Sequence, residues 1–320
     1  MRGLLAALLG FAAGAAAAQT YPAKPINIVI PNAAGGPADV YGRILAQPMS
    51  RHLKQPLVVE NVGGAGGNIG VSRVAKATPD GYTLLYHNMG MATNPALYKK
   101  LDYNPLTDFE YVGVVTHSVL VLVARREFPA SDLRQFLSLA KSSGDKLTLA
   151  DAGIGGPSGL CSLLLQSAIG VKFTSVQYKG TAPALNDVMG GQVDMLCDSS
   201  STAARHITAG KVKALGLTSR TRLPTLPDVP TIDEQGLKGF ELLPWTAMYA
   251  PKGTPRPVID RLVAALQAGL ADPDHVAHYD KLGLLPASRE LASSAGLQAH
   301  IRAESEKWGT LIRKAGITAE

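Results

Sequence analysis

The sequence predicts a mixed α/β protein built as two α/β lobes with a ligand cleft between them. Short apolar strands alternate with segments of helical periodicity, which is typical of parallel sheets covered by helices. Two further apolar segments, at residues 112–125 and 245–251, are placed where the chain would cross between two such units. The predicted lobes are residues 20–119 together with 246–320, and residues 120–245.

The composition is that of a globular protein. Apolar residues make up 46 % of the 320 residues and charged residues 18 %, which argues against a disordered chain. The formal net charge of +6 is spread along the chain, with no run of five or more Lys or Arg. We therefore expect no nucleic-acid partner, and the weakly basic balance suits an acidic small molecule.

The N-terminus has the pattern of a signal peptide at residues 1–18. Arg2 gives a short positive region, and residues 4–18 form an uncharged apolar run that ends in Ala16-Ala17-Ala18. This run is shorter than the roughly 20 residues that span a bilayer, so it does not favour a membrane anchor. We predict cleavage near Ala18 and export, to the periplasm in a Gram-negative host.

In the first lobe, apolar runs predict strands at residues 25–31, 57–61 and 82–86. The helix after the first strand should be N-capped by the carboxylate of Asp39 and kinked or ended by Pro48. A glycine loop at residues 63–70 should lead into a helix at residues 71–75. Each strand ends in a loop rich in Gly, Asn or Pro, so we expect parallel pairing with helical crossovers.

The same alternation begins again in the second lobe. Strands are predicted at residues 147–151, 173–178, 193–197 and 212–217. The intervening helices carry apolar residues at 160–169 and 185–189, and Gly190-Gly191 should stop the second of them. Two amphipathic helices, around residues 258–266 and 304–312, should complete the first lobe.

The two cysteines allow two interpretations. In an oxidising compartment Cys161 and Cys197 could form one disulfide, or they could remain as two buried free thiols. Two cysteines without an adjacent histidine cannot make a zinc cage.

No catalytic motif is complete. The glycines at residues 64–70 do not have the spacing of a dinucleotide fingerprint, and Ser158 lies in Gly-Pro-Ser-Gly rather than in a nucleophile elbow. His275 and His278 could share a helix face but lack a third metal ligand. We therefore predict no enzyme activity, no metal and no cofactor, with an enzyme of another class as the least favoured alternative.

Three loops have the character of anion-binding sites. Residues 31–39, 150–158 and 178–183 each connect a strand to the start of a helix and contain Gly or other small residues. Helix N-termini carry partial positive charge and free N–H donors, so they hold carboxylates without Arg or Lys. Three such loops spread over both lobes predict a binding cleft.

Several segments in this order resemble the Bug family, the extracytoplasmic solute receptors of tripartite tricarboxylate transporters. They are Pro-Asn-Ala-Ala-Gly-Gly-Pro-Ala-Asp at 31–39, Glu-Asn at 60–61 before the glycine loop, Pro-Asp-Gly-Tyr-Thr-Leu at 79–84, Tyr-Lys-Gly at 178–180 and Gly-Gly-Gln-Val-Asp at 190–194. The resemblance covers nearly all of the chain after the signal peptide.

The resemblance implies a type II periplasmic binding fold that closes on a small carboxylate: a di- or tricarboxylate, an acidic amino acid or an aromatic acid. It implies a monomer that delivers this ligand to the membrane subunits of a tripartite tricarboxylate transporter. A receptor that senses its ligand and signals to a membrane partner without transport remains an alternative.

The resemblance assigns ligand binding to the three loops and to Asp198. Two places differ from the family pattern, Asn32 and the segment at residues 87–91, and both would reshape the pocket, so the ligand of a relative is not implied. The candidate ligand-binding residues are Asn32, Ala34, Gly35, Gly36, Asp39, His87, Asn88, Gly155, Gly156, Ser158, Tyr178, Gly180, Thr181, Ala182, Pro183 and Asp198.

Overall fold

The fold is mixed α/β with two separate sheets, as a computed structural model of the chain shows. The structure describes residues 21–151, 153, 155–178 and 180–319, so the predicted signal peptide lies outside the described residues. Among the described residues, no helix is long and apolar enough to cross a membrane.

The elements alternate along the chain. The first half contains β1 (Ile26–Ile30), α1 (Pro37–Leu53), β2 (Leu57–Asn61), α2 (Asn68–Ala75), β3 (Thr83–Asn88), α3 (Gly90–Leu97), β4 (Phe109–Ser118), β5 (Leu120–Arg125), α4 (Leu133–Ser143), β6 (Thr148–Asp151) and α5 (Pro157–Ile169). The second half contains β7 (Thr174–Gln177), α6 (Thr181–Met189), β8 (Met195–Ser199), α7 (Ser200–Thr208), β9 (Val212–Leu217), β10 (Trp245–Pro251), α8 (Arg256–Leu270), α9 (Pro273–Lys281), β11 (Leu284–Pro286) and α10 (Ser294–Ala315).

One sheet has six strands in the order β11-β4-β10-β3-β1-β2, and the other has five in the order β7-β6-β8-β5-β9. The predicted parallel pairing is present for β1 with β2 and β3, and for β6 with β7 and β8. By contrast, β10 runs antiparallel to β3 and β4, and β5 runs antiparallel to β8 and β9. We call the six-stranded sheet with α1–α3 and α8–α10 the first lobe, and the five-stranded sheet with α4–α7 the second lobe.

The central strands are buried because helices cover them. Ile28 of β1 pairs with Val59 of β2 and Leu84 of β3, and both Ile28 and Leu84 are fully buried. A strand with helices on both sides reads as a continuous apolar run, which is why these strands were recognisable in the sequence.

The predicted crossing strand at residues 112–125 is two strands. β4 belongs to the first sheet and β5 to the second, with Val119 between them. The backbone partners change there. The N–H of Ser118 donates to the carbonyl oxygen of Pro244, directly before β10 of the first sheet, whereas the carbonyl oxygen of Val119 accepts from the N–H of Ser200 in the second lobe. The lobe boundaries at 119/120 and 245/246 stay a prediction.

One expectation about α1 was wrong, and another is narrowed. The N-cap is Gly36 rather than Asp39, because Pro37 occupies the first helical position, where its missing N–H costs nothing. Of the two effects expected of Pro48, ending the helix is excluded, because the helix continues past it to Leu53. Similarly, the helix after the glycine loop begins at Asn68 instead of residue 71.

Cys161 and Cys197 form a disulfide, so of the two readings left open the bonded one holds. It ties α5 to β8 inside the second lobe, where both residues are fully buried.

Candidate functional site

A cavity of about 400 Å³ lies between the two lobes. Strand ends and helix starts of both lobes form its wall. The lining residues are Asn32, Ala33, Gly36, Pro37, Ala38, Tyr41, Asn88, Thr116, Ser118, Leu120, Pro157, Ser158, Gly180, Thr181, Cys197, Asp198, Ser199, Pro244, Trp245 and Thr246.

Four helix N-termini contribute to this wall. They are the starts of α1, α5, α6 and α7, with Gly36, Gly156, Gly180 and Ser199 as N-caps. The first backbone N–H groups of a helix have no partner within the helix, and the helix dipole adds partial positive charge there. A cavity at four such ends is suited to a negatively charged ligand.

The wall contains no Lys, Arg or His among the described residues. Of the lining residues that the structure describes, Asp198 alone carries a carboxyl group, and it is only 1 % exposed. Asp198 Oδ1 accepts from Ser199 N at 2.8 Å, and Oδ2 accepts from Thr202 Oγ1 at 2.8 Å. Burial raises the pKa of Asp198 to about 6, although these hydrogen bonds act in the opposite direction.

Asp39 lies beside the cavity at the N-terminus of α1. Its Oδ2 accepts from Gly35 N and its Oδ1 from Arg43 Nε, each at 2.9 Å. Burial alone would raise the pKa of Asp39, but the hydrogen bonds from Arg43 and Gly35 bring it below its ordinary value. This carboxylate supports the first loop and does not line the cavity.

Seven of the sixteen candidate residues line the cavity: Asn32, Gly36, Asn88, Ser158, Gly180, Thr181 and Asp198. Asn32 Oδ1 is buried without a hydrogen-bond partner. Asn88 Oδ1 accepts from Gly90 N at 2.9 Å, which fixes the side chain at the start of α3. The structure thus brings together residues of all three predicted loops and of strand β3.

Nine candidates lie elsewhere: Ala34, Gly35, Asp39, His87, Gly155, Gly156, Tyr178, Ala182 and Pro183. Tyr178 OH donates to Asp187 Oδ2 at 2.7 Å. Gly155 O accepts from Thr93 Oγ1 at 3.3 Å, so this glycine contacts the first lobe. Residues 152, 154 and 179 of the predicted loops lie outside the described residues.

His87 is the clearest difference from the expected site. Its neighbour Asn88 lines the cavity, and successive side chains of a strand point to opposite faces, so His87 points into the protein. It is 2 % exposed, and neither ring nitrogen has a partner. Burial lowers the pKa of His87 to about 4, so the ring is neutral at pH 7.

Thirteen lining residues were not among the candidate ligand-binding residues. They are Ala33, Pro37, Ala38, Tyr41, Thr116, Ser118, Leu120, Pro157, Cys197, Ser199, Pro244, Trp245 and Thr246. Ala33, Pro37, Ala38 and Pro157 belong to the predicted loops. Most of the others lie where the chain crosses between sheets, and the two predicted crossing segments were the signal that could have found them.

Tyr41 connects the cavity wall to the other lobe. Its side chain is in α1 and lines the cavity, and its hydroxyl lies 3.0 Å from Ser201 Oγ of α7. Ser201 Oγ in turn lies 2.9 Å from Ser199 Oγ, another lining residue.

Trp245 is held from behind by α10. Its Nε1 donates to Glu304 Oε2 at 3.1 Å, and the same oxygen accepts from Trp308 Nε1 at 2.9 Å. The indole therefore forms part of the cavity wall in a fixed orientation. No cluster of three or more His, Cys, Asp or Glu suited to a metal ion occurs in the part of the chain that the structure describes.

Two α/β lobes around a cavity walled by helix N-termini define the class of periplasmic solute-binding proteins. The sequence profile described as "Tripartite tricarboxylate transporter family receptor" matches residues 41–317. The chain belongs to this family, which consists of substrate-binding receptors rather than enzymes. Its relatives carry the names UPF0065 and Bug.

One relative is the UPF0065 protein in the TAR-I ttuE-ttuC' intergenic region of Agrobacterium vitis, which is 42 % identical over 94 % of this chain and 87 % of its own length. The solved structure of the periplasmic binding protein BugD is 47 % identical, with a TM-score of 0.83 over 94 % of this chain and all of that one.

Two similar structures contain ligands. MatC from Rhodopseudomonas palustris with bound malate is 38 % identical, with a TM-score of 0.82 over 91 % of this chain and 100 % of that one. A second R. palustris protein, solved with adipate, is 31 % identical, with a TM-score of 0.84 over 93 % of this chain and 99 % of that one.

Proposed function

We propose that this protein captures a small carboxylate in the periplasm and delivers it to the membrane subunits of a tripartite tricarboxylate transporter. The observation that carries the proposal is the convergence of four helix N-termini on one cavity without any Lys or Arg in its described wall. Backbone N–H groups and helix dipoles are then the groups that hold an anion.

The ligand-bound relatives support the same class of ligand. Malate and adipate, named for the two R. palustris structures, are both small carboxylates. The cavity of about 400 Å³ falls in the size range of pockets for small molecules.

Carboxylate binding is tested by thermal unfolding of the chain without its signal peptide, after unfolding and refolding with the disulfide intact to remove any bound ligand. The panel contains hexanoate, adipate, malate, 2-hydroxybutyrate and benzoate, each with its amide as a control. A ligand at 100 times its Kd adds about 2.7 kcal/mol to the free energy of unfolding. Stabilisation by an acid and not by its amide supports the proposal, and no stabilisation by any acid contradicts it.

Delivery is tested by uptake of the radiolabelled acid that binds. Cells that carry the membrane subunits should accumulate the acid only when this receptor is present. Binding with unchanged uptake in cells lacking the receptor would contradict the transport role and leave the binding role intact.

A further inference from the structure

Three polar side chains form a row across the middle of the first sheet, at the wall of the cavity. Asn88 of β3 pairs directly with Thr246 of β10, and Thr246 pairs with Thr116 of β4. Directly opposite residues of antiparallel strands lie on one face, with Cβ atoms about 4.5–5.5 Å apart. All three residues line the cavity, so this sheet presents a row of polar groups to a ligand.

The amide of Asn88 has a defined orientation. Its Oδ1 accepts from Gly90 N at 2.9 Å, and a backbone N–H can only donate, so the oxygen and the nitrogen of this side chain are distinguishable. Because Oδ1 is used at the start of α3, Nδ2 is the atom of this amide that is left for the cavity. Asn88 therefore offers N–H donors to a ligand.

The hydroxyl of Thr246 is oriented by Tyr86. Tyr86 lies two residues before Asn88, on the same face of β3, and its hydroxyl is 3.0 Å from Thr246 Oγ1. Tyr86 is fully buried, and a buried O–H without an acceptor is costly, so the Tyr86 hydroxyl is assigned as the donor of this bond. The proton of Thr246 is then available to a ligand in the cavity.

Thr116 has the opposite polarity. Its Oγ1 donates to Leu285 O at 2.9 Å, so its proton is used within the sheet and its oxygen can only accept. The row thus contains two donors side by side, Asn88 Nδ2 and Thr246 Oγ1, and we call these two groups the donor pair.

The donor pair and most of the helix starts lie on different lobes. Asn88 and Thr246 belong to the first sheet, whereas α5, α6 and α7 begin in the second lobe. A carboxylate held at the helix starts of the second lobe leaves the other end of the ligand facing the first sheet. Buried donors without an acceptor cost free energy, so the donor pair favours an oxygen acceptor at that end.

We propose that Asn88 and Thr246 determine specificity, by selecting a carboxylate that carries a second oxygen acceptor, a carboxylate or carbonyl group, at its other end. Tyr86 is a positioning residue that acts through Thr246. The inference rests on the proposed function and deepens it.

The first experiment compares three acids of one chain length by isothermal titration on the refolded protein near neutral pH. Adipate, hexanoate and 6-aminohexanoate share a six-carbon chain and end in an acceptor, a methyl group and a donor. We expect adipate to bind at least about tenfold more tightly than either of the others, because hydrogen bonds to a charged group are strong. Equal or tighter binding of hexanoate or 6-aminohexanoate overturns the inference while the proposed function stands, and no binding by any of the three overturns both.

Variants of Thr246 test its hydroxyl. Thr246→Val keeps the shape of the side chain, and the ratio of adipate to hexanoate affinity should fall about fivefold or more, the effect of one hydrogen bond. Thr246→Ser should retain most of the ratio. Thr83→Val is the matched control, because Thr83 begins the same β3 strand and lies off the cavity wall. An unchanged ratio in Thr246→Val, or an equal fall in Thr83→Val, overturns the role of this hydroxyl.

Asn88→Asp tests the other donor. The new carboxylate still accepts from Gly90 N, but it places an acceptor where Nδ2 donates. The ratio of adipate to 6-aminohexanoate affinity should therefore fall about tenfold or more, and an unchanged ratio overturns the assignment of Asn88.

Tyr86→Phe separates positioning from packing. It should lower the ratio of adipate to hexanoate affinity by less than Thr246→Val does, and the double variant should match Thr246→Val alone, since Tyr86 acts only through that hydroxyl. Additive effects in the double variant would show that Tyr86 acts by another route and overturn its assignment.

Discussion

The hydroxyl of Tyr41 in α1 and Oγ of Ser201 in α7 lie 3.0 Å apart and form a hydrogen bond from the first lobe to the second. Tyr41 also lines the cavity, and its ring packs edge-on against Tyr279 with the ring centroids 6.5 Å apart. This hydrogen bond therefore joins the two lobes at the wall of the cavity.

We predict that Tyr41→Phe and Ser201→Ala each increase the dissociation rate of the carboxylate that binds by about three- to tenfold, the range that one net hydrogen bond provides. Because each variant removes the same bond, the double variant should match either single one. Stopped-flow displacement measures the rates.

Tyr178→Phe is the matched control, because that hydroxyl bonds to Asp187 away from the cavity wall. Additive effects in the double variant, or an equal effect in Tyr178→Phe, would show that the Tyr41–Ser201 bond does not hold the lobes together.

Asp198 should make the ligand-free protein less stable as the pH rises. Burial raises the pKa of Asp198 to about 6 in the folded protein, against an ordinary value of 3.8, so the folded state holds the proton more tightly. Stability from this group is therefore present below about pH 4 and is lost as the pH rises to about 6, by up to about 3 kcal/mol. Asp198→Asn should gain this amount relative to the native protein between pH 4 and 7, as measured by urea unfolding.

Asp39→Asn should change the pH dependence of stability in the direction opposite to that of Asp198→Asn. The pKa of Asp39 is lowered in the folded protein, so its stabilisation is present above the unfolded pKa and lost on acidification. This variant should therefore lose stability relative to the native protein as the pH rises. A constant difference for Asp198→Asn over the same range would refute the assignment of a raised pKa.

His87 should make the protein sensitive to acid. Its pKa is about 4 in the folded protein against 6.5 unfolded, because the buried ring has no partner for a charge. The stability that depends on the neutral ring is present above pH 6.5 and lost as the pH falls towards 4, by up to about 3 kcal/mol.

His87→Leu should accordingly lose less stability than the native protein between pH 7 and 4.5, as followed by urea unfolding at each pH. Ligand affinity should change little, because His87 is not on the cavity wall. His278→Gln is the exposed control. Parallel pH profiles for His87→Leu and the native protein would count against a buried neutral ring.

The disulfide should contribute substantially to the stability of the second lobe. Cys161 and Cys197 are 36 residues apart, and closing a loop of that length in the unfolded chain is worth about 4 kcal/mol in the loop-entropy estimate. The Cys161→Ala/Cys197→Ala variant should lose about this much free energy of unfolding. Dithiothreitol should lower the urea midpoint of the native protein and leave that of the variant unchanged; an effect on both would point to another cause.

The sequence revealed those parts of the fold that depend on local pattern. The strands at Leu57–Asn61, Val212–Leu217 and Trp245–Pro251 have the predicted ends, because each is an apolar run bounded by polar or turn residues. Helix α7 was not predicted, since its first residues are Ser-Ser-Thr, which have low helix propensity and no apolar period. The break at Val119 was not visible either, because it depends on partners distant in the chain.

The lining residues also divide into those with a local sequence signature and those that depend on distant strand pairing. Gly36, Ser158 and Thr181 were recognisable because a loop that opens a helix has a local signature. Thr116 and Trp245 were not, because they reach the cavity only through the pairing of β4 with β10. His87 and Asn88 were both predicted as site residues, and only Asn88 lines the cavity, because side chains alternate between the two faces at every residue of a strand.

The carboxylate of Glu304 holds the only two tryptophans of the chain, and of these only Trp245 faces the cavity. We therefore expect the intrinsic tryptophan fluorescence of the protein to report ligand binding. Entry of an acid changes the polarity around one indole while the other, behind it, emits as an internal standard. Emission intensity and wavelength should follow occupancy without any attached dye, and Trp308→Phe should leave a signal that comes from the cavity alone.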